Sequence, residues 1–129
     1  MTEYLRPDGW KRPGGYSDGT KGSGDLVFVA GQIGRAENGT LAKGFVSQVR
    51  QALKNIVAVL ESGGAGPEHV TRLTWYVVDI DEYRAVRGDV GKVYRDVMGK
   101  HYPAMSLVEV NRLLENGARV EIEATAVVP

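Results

Sequence analysis

Two stretches of this chain read as strands that its helices cannot fully cover. Leu26-Val27-Phe28-Val29-Ala30 is apolar at every position instead of at alternate ones, the mark of a strand covered on both faces. His69 to Ile80 (HVTRLTWYVVDI) is β-branched and aromatic and predicts a long strand, again apolar on both sides. Between them, residues 45–61 place Phe45, Val49, Ala52, Leu53, Ile56, Val59 and Leu60 at helical spacings of three and four. Gln48, Arg50, Lys54 and Glu61 mark the opposite, polar side. Gly63-Gly64-Ala65-Gly66-Pro67 ends that helix. A second helix is predicted from Asp81, a fair N-cap, to Met98, with Tyr83, Val86, Val90, Val93, Tyr94 and Val97 on its apolar side and Gly88 and Gly91 weakening it. Two helices shield one face of a sheet. The other face then calls for a second copy of the chain, so an obligate homo-oligomer is expected.

Towards the C-terminus, HYPAMSLVEVNRLLENGARVEIEATAVV (residues 101–128) reads as two strands joined at Asn116-Gly117, a hairpin signal because both residues tolerate positive φ. On the first strand Met105, Leu107 and Glu109 share one face, with Ala104, Ser106, Val108 and Val110 on the other. On the second, Val120, Ile122, Ala124 and Ala126 oppose Glu121, Glu123 and Thr125. Carboxylates are thus interleaved with apolar residues on largely buried strands.

The remaining segments are shorter. Residues 1–15, with Pro7, Gly9, Pro13, Gly14 and Gly15, read as a loosely ordered lead-in, followed by a short strand around Tyr16-Ser17. Gly31 and Gly34, after the first apolar strand, allow something to approach the backbone closely. Asn38-Gly39 turns the chain into a brief strand near Leu41.

Composition narrows the function. A chain of 129 residues with 43% hydrophobic content suits one domain with a real core. Its 16 basic and 16 acidic residues cancel without a one-signed run, which gives no support to nucleic-acid or anionic-membrane binding. No cysteine is present, so disulfides, a thiol nucleophile and thiolate metal sites are excluded. Only His69 and His101 could ligate a metal through imidazole, and no carboxylates are spaced to join them, so no metal or other cofactor is expected. No apolar run reaches the ~18 residues of a membrane span and no secretory h-region opens the chain; a cytoplasmic protein is the expectation. The serines form no nucleophile elbow, and Gly22-Ser23-Gly24 precedes a strand instead of following one, so it is a turn and not a dinucleotide fingerprint.

Six pieces in order, Gly15-Tyr16-Ser17, Val29 to Ile33, Gln48 to Leu53 with Asn55, Thr74 to Val77 with Asp79, Pro103-Ala104 with Val108-Glu109-Val110, and Val120 to Ala126, resemble the RidA (YjgF) family of reactive-intermediate deaminases. The resemblance spans nearly the whole chain. It implies a single α+β domain of chorismate-mutase-like fold, a mixed sheet with two helices on one face, and a homotrimer around a central barrel with three clefts between subunits. It also implies hydrolysis of enamines and imines to carbonyl compounds and ammonia. The glutamate that holds the attacking water then falls at Glu121, an assisting backbone amide at Leu107, and further cleft positions at Tyr16, Gly31, Gln32 and Ser106.

One position departs from the pattern. Where the family pattern has an arginine after Pro-Ala to clamp a substrate carboxylate, this chain has Met105. A bidentate guanidinium–carboxylate contact contributes about 1.5 to 3 kcal/mol, or roughly 10- to 150-fold in affinity. Methionine offers neither charge nor donor and suits apolar or planar groups. Substrates of the 2-aminoacrylate type are therefore not expected, unless Arg35, Arg87 or Arg112 reaches the cleft. Glu109 and Glu123 are expected to be structural, paired with Lys or Arg. Two other functions remain compatible with the chain: a non-catalytic small-ligand-binding or chaperone-like trimer, and, ranked lower, an endoribonuclease.

Overall fold

In the computed structural model, which describes residues 2–129, the elements run β1 (Glu3–Leu5), β2 (Gly19–Lys21), β3 (Asp25–Ile33), α1 (Phe45–Ser62), β4 (Val70–Val77), α2 (Ile80–Ala85), α3 (Arg87–Met98), β5 (Ala104–Glu109) and β6 (Val120–Val128). The main sheet has the order β3-β6-β4-β5, with β6 antiparallel to both neighbours and β5 parallel to β4. The fold is α+β with a mixed sheet, and α1 and α3 pack together on one face of it.

Alternation decides which side of each strand meets the helices. In β6 Val120, Ile122, Ala124 and Ala126 are buried, and in β4 so are Val70, Leu73, Trp75 and Val77, the two sets lying in register. Against them α1 places Phe45, Val49, Leu53, Ile56 and Leu60. Full burial of each such large side chain stabilises by roughly 1.5 to 3 kcal/mol.

Several expectations are corrected. Residues 104–109 and 120–128 do not form a hairpin: β6 inserts between β3 and β4, while β5 reaches β4 through the α2–α3 crossover. Gly117 does take positive φ, +86°, but among the described residues no non-glycine residue does, so Asn116 is not a hairpin-turn residue of that kind. The second helix is broken at Val86 (φ −125°, ψ 26°), and its N-cap is Asp79, whose Oδ1 accepts from the amides of Asp81 and Glu82. Within the lead-in, Glu3–Leu5 pairs with Gly19–Lys21, and Ser17 makes only an isolated parallel bridge to Ala104. Gln48 is 3% exposed instead of on the polar side. Its Nε2 donates to Ala42 O (3.0 Å) and Gly117 O (2.9 Å), and its Oε1 accepts from Arg119 N (2.7 Å), so it serves loops that would otherwise leave buried polar groups unpaired.

The face of the sheet away from the helices is uncovered. On β3, Leu26 and Phe28 are 59% and 71% exposed while Val29 is buried. On β4 the same face carries Arg72, Thr74 and Tyr76, so the second long strand is not apolar on both sides as expected; it alternates.

Candidate functional site

The position of Glu121 is set from β3. A register shift between Val29 and Gln32 leaves Ala30 and Gly31 opposite the single residue Glu123, a bulge that re-aims the strand end. Asn55 on α1 pins that end by donating to Ile33 O (3.2 Å) and Arg35 O (2.8 Å). The close approaches anticipated at the two glycines are now identified. A Cβ at Gly31 would lie 2.5 Å from Glu121 Oε1, and one at Gly34 would lie 2.5 Å from the Cα of Gln48 on α1.

Among the described residues the three candidate carboxylates differ in what they touch. Glu123 accepts a hydrogen bond from the Tyr76 hydroxyl (2.6 Å), which is the main reason the Tyr76 pKa is raised. Glu109 accepts from the amide of Ile80 at the start of α2 (3.0 Å). Both are structural, but with neutral donors and not the Lys or Arg partners expected. The half-buried Glu121 has no hydrogen bond or salt bridge to a described residue. It lines an open groove with Gly31, Gln32, Ile33, Arg35 and Leu114.

Met105 lies elsewhere. It pairs with Leu73, Leu107 pairs with Trp75, and both side chains face the helix layer, whereas Glu121, in register with Tyr76, faces the uncovered side. Met105 lines a cavity of about 330 Å³ together with Tyr16, Trp75, Tyr83, Tyr94 and Tyr102. Tyr16 is held there because Ser17 N donates to Pro103 O (3.0 Å) and the Ser17 hydroxyl to Tyr102 O. Tyr102 stacks on Tyr94 with ring centroids 5.5 Å apart. Ser106 alternates with Met105 and is exposed on the uncovered side. Val110 N donates to Val77 O (2.8 Å), so by strand alternation the amides of Met105 and Leu107 point away from β4; that of Met105 faces Ser17, which bridges to Ala104, and that of Leu107 points to the free edge of the sheet. The fold of the chain therefore divides the expected residues between two places: Gly31, Gln32 and Glu121 in the groove, Tyr16 and Met105 in the cavity.

The question of a substitute arginine also divides. Arg35 lines the groove but is engaged by Glu115 (3.2 Å) and by Gly39 O (2.6 Å). Arg112 lines neither. Arg87 and Arg95 line the cavity of Met105, and neither makes an ion pair or side-chain hydrogen bond with a described residue. Arg95 was missed in the sequence, although Arg87, Gly91 and Arg95 recur every four residues and so lie on one stripe of α3.

The geometry has counterparts. A family model described as Endoribonuclease L-PSP matches residues 10–128. A RutC family protein of Aquifex aeolicus is 38% identical over 128 residues, 98% of this chain and 99% of that protein. The human 2-iminobutanoate/2-iminopropanoate deaminase is 31% identical over 103 residues, 78% of this chain and 72% of its own. Among solved structures, the Rid-family protein YyfB of Yersinia pestis superposes with a TM-score of 0.86 at 30% identity, covering 98% of each chain. The YjgF protein of E. coli does so with 0.73 at 29% identity, covering 90% of each. This chain belongs to the RidA (YjgF) family.

Proposed function

We propose that the protein hydrolyses a small imine or enamine, or a related carbonyl compound, in clefts formed where the groove of one copy meets the cavity edge of the next in a homotrimer. The observation that carries this reading is Glu121: a half-buried carboxylate without a partner among the described residues, in a family that includes a protein named as an imine deaminase. Glu121 takes a proton from water as the water oxygen adds to the imine carbon. Glu121 passes that proton to the imine nitrogen, giving a carbinolamine, and then moves the hydroxyl proton to the same nitrogen as the C–N bond breaks, so that ammonia leaves and a carbonyl group remains; an enamine first tautomerises to the imine. The Leu107 amide, free at the sheet edge, is placed to hold the water or the developing oxygen. Tyr16, Gly31, Gln32, Met105 and Ser106 line the cleft. With Met105 in place of an arginine, 2-aminoacrylate is a poor substrate.

Supporting the trimer is the uncovered apolar surface of β3, Leu26 and Phe28 above all, which a second copy buries. Sedimentation at micromolar concentration should show a trimer; a stable folded monomer would remove the composite cleft. Ammonia release from 2-aminoacrylate and from larger imines, with Glu121→Ala as the control, tests the chemistry. Equal rates for parent and variant would exclude Glu121.

A further inference from the structure

We propose that the cavity above Met105 takes an acid with a planar aromatic or conjugated body, its carboxylate held by Arg87 and Arg95. The proposal rests on the reading of this cavity as part of an imine site and adds the class of molecule it accepts.

Two observations converge. Trp75 lines the cavity with its ring, its Nε1 being buried away from that space. On the same cavity α3 presents two guanidiniums unpaired among the described residues, and Arg95 folds back over Gly91, where a Cβ would lie 3.4 Å from its Nη1. A glycine in mid-helix is unfavourable and here leaves the wall open beneath the arginine. The rings of Tyr16, Tyr83 and Tyr102 line the same space with the thioether of Met105 and are complementary to a flat, polarisable body. The carboxylate clamp has thus moved from strand to helix, away from the floor of the cavity. An aryl-bearing acid offers a carboxylate to the arginines and a ring to this lining, whereas a three-carbon acid has no ring to offer.

Phenylpyruvate, pyruvate and the neutral benzyl methyl ketone are compared by calorimetry on the intact protein. Phenylpyruvate is expected to bind at least about tenfold tighter than either. Arg87→Gln and Arg95→Gln, both at exposed positions, should each weaken phenylpyruvate about tenfold and leave the neutral ketone unchanged. Equal affinity for phenylpyruvate and pyruvate, or arginine variants that bind phenylpyruvate like the parent, would overturn the proposal. Ammonia release from imines is measured in parallel. Arginine-dependent phenylpyruvate binding without turnover keeps this proposal and defeats the hydrolytic reading; turnover of small imines indifferent to Arg87→Gln does the reverse.

Discussion

Glu121 rests directly on the backbone of Gly31, with room for no side chain between them. Gly31→Ala should therefore displace the carboxylate more than it disturbs the fold, because the atom it meets is the tip of a flexible side chain. The expected stability loss, below about 1 kcal/mol, lies under the usual 1 to 3 kcal/mol for overpacking, and imine turnover should fall about as far as in Glu121→Gln. In Gly31→Ala/Glu121→Ala the stability loss should vanish, a coupling that urea denaturation of the four proteins measures.

Gly34 gives the contrasting case. Its missing Cβ would strike the Cα of Gln48, which cannot rotate away. Gly34→Ala is expected to cost about 3 kcal/mol or more, read as a lowered urea midpoint.

Gln48→Leu keeps the volume but strands the carbonyls of Ala42 and Gly117 and the amide of Arg119. At about 1 to 3 kcal/mol per buried unsatisfied group, not fully additive, a loss of about 3 kcal/mol is expected. Hydrogen exchange should quicken first at Arg119.

On α3 the two glycines should separate stability from ligand binding. Nothing lies within 4 Å of a Cβ at Gly88, so Gly88→Ala should stabilise by about 0.5 to 1 kcal/mol through helix propensity and leave phenylpyruvate binding unchanged. Gly91→Ala should gain similar stability but weaken binding, since its methyl enters the cavity.

Burial pushes the pKa of Tyr94 well above the ordinary tyrosine value near 10, with Tyr102 and Tyr4 adding to the effect, while its hydroxyl donates to His101 O (2.5 Å). Above pH 10 the unfolded chain loses this proton and the folded one retains it. Stability is therefore complete below about pH 10 and declines as pH rises towards the folded-state value. Tyr94→Phe should be less stable at pH 7 yet show a shallower alkaline decline in denaturant titrations.

Much of the architecture could be read from local pattern. The α1 periodicity, the inward row Val120, Ile122, Ala124 and Ala126, and the tight approaches at Gly31 and Gly34 all follow from side-chain direction and size. The partner of β6 could not be read that way. Asn116-Gly117 describes a turn, and strand pairing depends on contacts with β3 and β4, dozens of residues away. Gln48 was misplaced for a related reason: its polarity points outward until the loop carbonyls it serves are known. Glu121 could be singled out from Glu109 and Glu123 by resemblance. That it and Met105 lie on opposite faces required the strand order, because alternation gives relative faces within a strand and not between strands.

The central place of β6 bears on how the molecule is made. Synthesis delivers β3 and the β4-β5 pair first, and these cannot join until the strand between them emerges. Until then the nascent chain carries raw edges on both fragments, the kind of surface that recruits foreign strands. The sheet closes like a zip whose slider is threaded last, so its folding should be slow for its size and dominated by distant contacts. Shortening the chain by even part of residues 120–128 would leave two unjoined pieces of sheet, not a slightly smaller one.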